Sequence, residues 1–322
     1  MLDFEQVVFQ YPVEDWPIID HLSFHVDRGE FVSIIGASGC GKSTIFRLIN
    51  RLLVPESGGI RIAGQEIATA SASSTDPIVS KSGKDQTKIK AKAEAKAKAE
   101  AKAKAEIKAK AGAKANDEIK VKAGAKARAK AGAKTKAKAV CGYMPQQDLL
   151  FPWRSVEDNL CLPMELRGGI PKEEQRRRAR QALEDVGLAG KGDKRPSELS
   201  GGMRQRAAFA RTLLTGEDLL LLDEPFSALD YLTRIEMREW LLRQWERERK
   251  TVLFITHDVE EAIFLSGRVL VAEKTPITEL TSVEVPLGYP RSIESLKDPA
   301  VQDLKEALIE KLRRDPSENL GE

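Results

Sequence analysis

The chain has 322 residues, roughly two domains' worth of material, and a formal net charge of +3 from 52 Lys and Arg against 49 Asp and Glu. Residues 84–138 alone hold 18 Lys and 1 Arg against 6 Asp and Glu, a charge of +13, so the other 267 residues carry −10, which argues against a nucleic-acid-binding surface over the core. The sequence has no long uncharged apolar run and no basic-then-apolar N-terminus, so we expect neither a membrane span nor a signal peptide.

The first part of the chain predicts strands, a Gly-rich turn and a helix. Alternating apolar and polar residues indicate half-buried strands, a short apolar β-branched run before Gly36 indicates a buried one, and apolar residues at helical spacing indicate the helix. In chain order, the predicted elements are strands over residues 4–9, 21–26 and 30–35, a helix over 43–53 and one strand over 60–67.

Residues 68–139 differ in composition from the rest of the chain. They contain no aromatic residue, and from Lys88 onward Ala and Lys nearly alternate. Neither a strand nor a helix with that pattern has an apolar face large enough to bury. We expect a low-complexity insertion, disordered or partly helical, that has expanded in a permissive surface loop.

Globular composition returns at Val140, where strands begin to alternate with helices. This alternation predicts an α/β fold with a mostly parallel sheet. The predicted helices cover residues 156–166, 172–186, 203–214, 232–248 and 301–313, and the predicted strands cover 219–222 and 251–255. The predicted organisation is a first core part over 1–67, the insertion over 68–139, a helical part over 140–200, a second core part over 201–275 and a polar C-terminal tail over 276–322.

Residues 36–43 (GASGCGKS) fit the phosphate-binding loop and lie between a predicted buried strand and a helix. Glycines let backbone N–H groups surround phosphates, Lys42 supplies positive charge, and the Ser43 hydroxyl can bind Mg²⁺. The predicted nucleotide-binding residues here are Gly36, Ser38, Gly39, Cys40, Gly41, Lys42, Ser43 and Thr44. Cys40 is interpreted as a small loop residue, and it and the other two cysteines, Cys141 and Cys161, as reduced thiols without metal spacing.

Two carboxylates and a histidine follow predicted buried strands. Asp223 and Glu224 end the run LLLLDE, and His257 follows the strand over residues 251–255. Parallel strands bring such residues to one sheet edge, where we assign Asp223 to Mg²⁺ through a water, Glu224 to activating the attacking water as general base, and His257 to contacting the γ-phosphate.

The phosphate loop, LSGGMRQR at 199–206, DEPFSALD at 223–230 and THD at 256–258, in this order, resemble the nucleotide-binding subunit of an ABC transporter. The LSGG signature is the most specific of these motifs. The resemblance implies a P-loop NTPase (RecA-like) core with an antiparallel β subdomain and an α-helical signature subdomain. It also implies an ATP hydrolase that uses ATP and Mg²⁺.

The resemblance also implies further site residues. Tyr11 is similar to the aromatic residue that stacks on adenine. Gln146, or in another register Gln147, is similar to the glutamine that reaches the metal and the attacking water. The residues implied to act on the ATP of a partner subunit, in a head-to-tail dimer, are Ser200, Gly201, Gly202 and Asp230. The implied catalytic set is Glu224, His257, Gln146 and Lys42, and the implied metal set is Ser43, Gln146 and Asp223.

Residues 149–159 (LLFPWRSVEDN) are similar to a stretch of bacterial importers for nitrate, sulfonates, taurine and thiamine-pyrimidine precursors. This implies as partners transmembrane ABC permease subunits, a second ATPase copy and an extracytoplasmic solute-binding protein, with the chain peripheral on the cytoplasmic side of the membrane. Another importer or exporter remains an alternative. An ABC ATPase acting on nucleic acid is disfavoured because the chain has one phosphate loop, one signature and no Cys-rich hook, and we expect no specific nucleic-acid binding.

Overall fold

Two sheets organise the part of the chain that the structure, a computed structural model, describes: residues 1–69 and 141–313. These residues belong to one compact unit. Residues 70–140, and with them nearly all of the predicted insertion, lie outside the described residues. The strands are β1 (Leu2–Phe9), β2 (Ile19–Val26), β3 (Phe31–Gly36), β4 (Ser57–Ile62), β5 (Gln65–Thr69), β6 (Gly142–Met144), β7 (Leu219–Asp223), β8 (Thr251–Ile255), β9 (Arg268–Ala272) and β10 (Thr281–Glu284).

Helices pack on these sheets in the alternating order that the sequence predicts. They are α1 (Lys42–Ile49), α2 (Val156–Arg167), α3 (Lys172–Asp185), α4 (Gly201–Leu213), α5 (Tyr231–Glu248), α6 (Val259–Leu265) and α7 (Pro299–Arg313). Helices α2, α3 and α4 lie between β6 and β7 in the chain and contact one another. Of these, α2 and α3 fall in the helical part predicted over residues 140–200, whereas α4 falls in the predicted second core part.

The first sheet is antiparallel, with strand order β2-β1-β4-β5. The single strand predicted over residues 60–67 is wrong, because the chain reverses there between β4 and β5. Ala63 and Gly64 both have positive φ, 51° and 76°, as the tight turn of a two-residue hairpin requires. The Ala-Gly pair inside an alternating run was the sequence signal for this turn.

The second sheet has strand order β10-β9-β3-β8-β7-β6, and all its neighbouring strands are parallel except β10 with β9. The prediction of a mostly parallel sheet is therefore confirmed. Every residue of β3, β7 and β8 is buried. Because these strands run in one direction, their carboxyl ends lie at one edge, where the candidate site residues emerge.

The sequence predicts a polar tail over residues 276–322 that contains one helix, over 301–313. In the structure, this C-terminal part of the chain packs on the core. Strand β10 extends the second sheet, and Val285, Val301 and Leu308 join a buried cluster with residues of β3, α6 and β9. These apolar residues are scattered among polar ones, so composition alone did not show that they are buried. Residues 314–322 lie outside the described residues.

The insertion is expected to be dispensable for the ATP turnover that the resemblance implies. In the chain, the insertion connects β5, an edge strand of the first sheet, to β6, an edge strand of the second. Each of these two strands therefore pairs with a neighbour on one side only. Deletion of residues 88–138 should leave basal phosphate release within about twofold of that of the full chain, since connections away from a core are tolerant of length. The shortened chain with Lys42→Ala is the control for site-specific turnover, and collapse to an unfolded or inactive protein would show a structural role.

Candidate functional site

The phosphate loop joins β3 to α1 as the sequence predicts. Gly41 has φ of 112°, and a Cβ there would lie 2.6 Å from Cγ2 of Ile18, so no larger residue fits. Lys42 is buried, and its ammonium donates to the carbonyl oxygens of Gly36 at 2.9 Å and of Ala37 at 2.7 Å. No side chain caps the start of α1, and the Lys42 ammonium lies against the loop just before it, an arrangement suited to phosphate.

Asp223 and Glu224 have different environments at the end of β7. Asp223 is the last strand residue and is buried; burial raises the pKa of its carboxyl, whereas a hydrogen bond from Ser43 lowers it and the neighbouring Glu224 raises it. Glu224 leaves the strand with φ of 47°, a left-handed conformation that is unfavourable for a non-glycine residue. Its side chain is 20% exposed and so is accessible to water.

The Glu224 carboxylate contacts residues from two other segments. Its Oε2 atom accepts a hydrogen bond from Nε2 of Gln146 at 3.2 Å and lies 3.4 Å from Nδ1 of His257. Gln147 has no such contact, so of the two registers that the sequence left open the structure brings Gln146 to the carboxylate. Three of the four residues predicted to be catalytic therefore form one cluster at the carboxyl edge of the second sheet.

Tyr11 lies beside the start of α1. Its hydroxyl is 3.1 Å from Oγ1 of Thr44 and accepts a hydrogen bond from Arg47 at 3.1 Å, while its ring packs edge-on against Phe9. The predicted adenine-stacking residue is therefore next to the phosphate loop, although it is 25 positions before Gly36 in the sequence.

The signature residues lie on a surface of their own. Ser200 caps α4, which begins at Gly201 rather than at Met203 as predicted, and its hydroxyl accepts from the N–H of Met203 at 3.3 Å. A Cβ on Gly202 would lie 3.2 Å from the carbonyl oxygen of Ala228, so the signature packs directly on the segment that leads to Asp230. Among the described residues, no hydrogen bond or ion pair joins Ser200 or either signature glycine to the phosphate loop.

Asp230 caps α5 by accepting a hydrogen bond from the N–H of Thr233 at 3.1 Å. Hydrogen bonds from Thr233 lower the pKa of this carboxyl. The next two residues, Tyr231 and Leu232, are 72% and 69% exposed. Asp230 thus stands beside the signature on an exposed surface that includes two large apolar side chains.

Helix α4 contains positioning residues that sequence reasoning missed. The buried Gln205 donates to the carbonyl oxygen of Glu224 at 3.1 Å and accepts from the N–H of Ala228 at 2.8 Å. Arg204 forms an ion pair with Asp148 at 2.9 Å. Helix α4 therefore contacts both the segment after Glu224 and the segment after Gln146. The sequence signal for these contacts was Arg204 and Gln205 in LSGGMRQR.

The segment after Gln146 has exposed apolar side chains, and hydrogen bonds from other segments fix its backbone. Leu149 and Trp153 are 57% and 69% exposed, and the Trp153 ring stacks on Phe151 with a 5.0 Å centroid distance. The fully buried Asn159 bonds the N–H of Phe151 at 2.7 Å and its carbonyl oxygen at 3.1 Å. Arg211 donates to the carbonyl oxygen of Leu149 at 2.8 Å.

Ser43, Asp223 and Gln146 supply hydroxyl, carboxylate and amide oxygens, and hard divalent cations such as Mg²⁺ prefer oxygen ligands. The side chains of Ser43 and Asp223 are within hydrogen-bond reach of each other, and Gln146 contacts the residue next to Asp223. Within the described ranges no group of three His, Cys, Asp or Glu residues is placed to hold a metal. The oxygen donors of Ser43, Asp223 and Gln146 fit a hard divalent cation such as Mg²⁺.

The three cysteines are free and buried, in agreement with the prediction of reduced thiols. Burial raises the pKa of Cys141 to about 12 and that of Cys161 to about 11. No helix within residues 1–69 and 141–313 is long and apolar enough to cross a bilayer.

The sequence and the fold match known proteins over most of the chain. The family model described as ABC transporter matches residues 19–123 and 107–227. The formylaminopyrimidine import ATP-binding protein ThiZ of Halalkalibacterium halodurans is 35% identical over 320 residues, 98% of each chain. The nitrate import ATP-binding protein NrtD of Synechococcus elongatus is 32% identical over 309 residues, 95% of this chain and 88% of the relative.

A solved structure has the same fold. The dimeric structure of a post-hydrolysis state of the ATP-binding cassette MJ0796, bound to ADP and Pi, superposes with a TM-score of 0.63 at 25% identity and covers 89% of this chain and all of that one. The chain belongs to the ABC transporter family, and within that family it is an ATP-binding subunit that hydrolyses ATP. The predicted fold class is confirmed.

Proposed function

We propose that the chain powers an importer: two copies bind and hydrolyse ATP while attached to a membrane permease. The observation that carries this proposal is the cluster in which Glu224 contacts both Gln146 and His257 beside the phosphate loop. The names of the two relatives, which refer to import of formylaminopyrimidine and of nitrate, support a small solute of the nitrate, sulfonate, taurine or thiamine-pyrimidine precursor type.

In the hydrolysis reaction, Glu224 acts as the general base. Its carboxylate takes a proton from water while the water oxygen bonds to the γ-phosphorus and the bond to the β–γ bridging oxygen breaks, which gives ADP and phosphate. Lys42 and the first N–H groups of α1 stabilise the negative charge on the phosphate oxygens. Gln146 orients the water, and His257 hydrogen-bonds the γ-phosphate before and after transfer.

Mg²⁺ is proposed as the cofactor, held by Ser43, Asp223 and Gln146 together with ATP oxygens. The ion supplies positive charge that neutralises the β- and γ-phosphates. Since burial without a cation disfavours the charged Asp223 carboxylate, the cation and the ionised carboxylate stabilise each other.

A second copy of the chain is the proposed partner at the signature surface. Ser200, Gly201 and Asp230 are exposed, and among the described residues no hydrogen bond or ion pair joins them to the phosphate loop, while Tyr231 and Leu232 expose apolar area beside them. The exposed Ser200 hydroxyl and the N-terminus of α4, next to apolar side chains, suit an ATP γ-phosphate that another subunit holds. A head-to-tail dimer places ATP between the subunits, and hydrolysis then weakens their contact.

The permease is proposed to bind the surface formed by Leu149, Phe151 and Trp153, here called the aromatic surface. These residues follow Gln146 by only a few positions, and Arg211 and Asn159 hold their backbone in place. Movement of the permease at the aromatic surface is thereby transmitted to Gln146 and to the Glu224 carboxylate. In this arrangement the chain lies on the cytoplasmic side of the membrane, and a solute-binding protein delivers solute to the permease outside.

Trp153→Ala should uncouple the ATPase from the permease. Truncating an aromatic anchor of an interface costs about 2 kcal/mol or more, which weakens binding about thirtyfold. We expect the variant to lose co-purification with the permease, while basal phosphate release by the isolated chain is unchanged. Trp16→Ala is the matched control, because Trp16 is 56% exposed outside the aromatic surface. Normal binding by the Trp153 variant would contradict the assignment.

The import function is tested with the ATPase, permease and solute-binding protein reconstituted in vesicles. Candidate solutes from the nitrate, sulfonate, taurine and pyrimidine classes are added on the side of the binding protein. One class should accelerate phosphate release and accumulate inside the vesicles. Export of the stimulating solute instead of uptake would replace this proposal with an exporter.

A further inference from the structure

Helix α6 begins two residues after His257, and one of its buried side chains points back to the start of the helix. Glu261 is only 4% exposed, and its Oε2 atom accepts a hydrogen bond from the hydroxyl of Thr256 at 2.7 Å. Thr256 is also buried and immediately precedes His257. Burying a carboxylate lowers the stability of a fold unless its contacts compensate for the lost hydration. The burial of Glu261 therefore needs an explanation from its contacts.

The Thr256 hydroxyl connects the two sides of His257. It donates its one proton to Glu261 and accepts from the N–H of Asp258 at 3.0 Å. The N–H of Thr256 in turn bonds the carbonyl oxygen of Ile34 in β3, at 3.3 Å. Glu261 therefore orients the hydroxyl that links Thr256, just before His257, to the N–H of Asp258, just after it.

Helix α5 supplies positive charge opposite Glu261. Arg234 has its Nε atom 3.9 Å from Oε1 of Glu261, and the buried Arg238 lies on the same side. Arg234 also donates to the carbonyl oxygen of Leu229, the residue before Asp230, at 3.1 Å. Burial raises the pKa of Glu261, the Thr256 hydroxyl lowers it, Asp258 raises it, and Arg238 and Arg234 lower it.

His257 needs such support because its own side chain has little. The ring is 65% exposed, and the described part of the chain offers it one polar partner, the Glu224 carboxylate at 3.4 Å. An exposed ring samples several rotamers, so the position of its backbone decides how often it meets Glu224 and the phosphate.

We propose that Glu261 is a positioning residue for ATP hydrolysis, which acts by holding Thr256 and thereby His257 beside Glu224. This inference rests on the proposed role of His257. It does not involve contact of Glu261 with ATP. Loss of Glu261 should therefore lower the rate of the chemical step and leave ATP binding intact.

The experiment measures kcat, KM for ATP and the affinity for a fluorescent ATP analogue in the full chain. Glu261→Ala removes the carboxylate, and Thr256→Val removes only the hydroxyl while keeping the side-chain shape, so the second variant remains informative if the first fails to fold. Since small displacements of a catalytic group cost up to about a hundredfold, we expect kcat to fall about tenfold to a hundredfold in both, with unchanged analogue affinity.

A double-mutant cycle with His257→Ala separates positioning from general damage. If Glu261 acts through His257, then Thr256→Val and Glu261→Ala should each change kcat less than about twofold in the His257→Ala background. Glu30→Gln is the matched control: it breaks another partly buried ion pair, with Arg268 at 2.7 Å, at the opposite end of β3. Its kcat should match that of the unmodified chain.

Each result supports or overturns a specific statement. Full kcat in both Thr256→Val and Glu261→Ala overturns the inference on Glu261, while the proposed function stands. Losses that are as large in the His257→Ala background as in the unmodified chain also overturn it, because the effect then does not pass through His257. Full activity of His257→Ala itself would instead remove the proposed role of His257.

Discussion

Glu224→Gln should lower ATP turnover by about two to four orders of magnitude, the range over which a general base contributes, while ATP binding is retained. The amide keeps the size of the side chain and can still accept from Gln146, but it cannot take a proton from water. Because hydrolysis is what separates the two subunits in the proposed cycle, the variant should accumulate as an ATP-bound dimer.

Phosphate release and size-exclusion chromatography with ATP and Mg²⁺ measure these two effects. Asp218→Asn is the matched control, since it makes the same kind of change just before β7, at the other end of the strand that leads to Glu224. The control should turn over ATP normally and elute as the unmodified chain does. Unchanged turnover in Glu224→Gln would overturn the assignment of the general base.

Mixing two inactive variants should restore activity if the signature acts on a partner's ATP. Lys42→Ala removes the phosphate-loop charge, and Ser200→Arg blocks the signature surface, so each variant alone should be inactive. In a mixed head-to-tail dimer, the intact phosphate loop of one chain meets the intact signature of the other. With random pairing, half of the dimers are mixed and each has one intact site, so the rate should recover to roughly a quarter of the unmodified value.

The control for this complementation is Lys42→Ala mixed with the Lys42→Ala/Ser200→Arg double variant, in which no arrangement gives an intact site. Two different affinity tags report how much mixed dimer forms. Absence of recovery although mixed dimers are captured would show that each signature serves the phosphate loop of its own chain.

The candidate site was predictable from the sequence to the extent that its motifs are local. The phosphate loop, the end of β7 and His257 each follow a short buried strand, and parallel strands must bring such positions to one edge. The assignment of Gln146 rather than Gln147 needed the structure, because the two residues are of the same type and only the structure shows which side chain reaches Glu224. Its contact with Glu224 spans 78 positions.

Contacts between distant segments were beyond the sequence patterns. Gln205 bonds the backbone after Glu224, and Arg204 pairs with Asp148 across 56 positions, which no periodicity reports. Helix α6 was also missed: it has seven residues, and because nearly all of them are buried it lacks the polar face that an amphipathic pattern needs. The fold of α6 against the C-terminal part likewise depends on isolated apolar residues such as Val301 and Leu308.

The left-handed conformation of Glu224 lowers the stability of the fold, although the proposed catalysis needs the carboxylate at this position. Glycine adopts φ near 47° without steric penalty, whereas a residue with a Cβ loses about 1 kcal/mol or more there. A search for thermostable forms of this chain, if it selected on melting temperature alone, would thus favour glycine at position 224 and discard the carboxylate. Engineering of this ATPase for stability has to screen for phosphate release at every round.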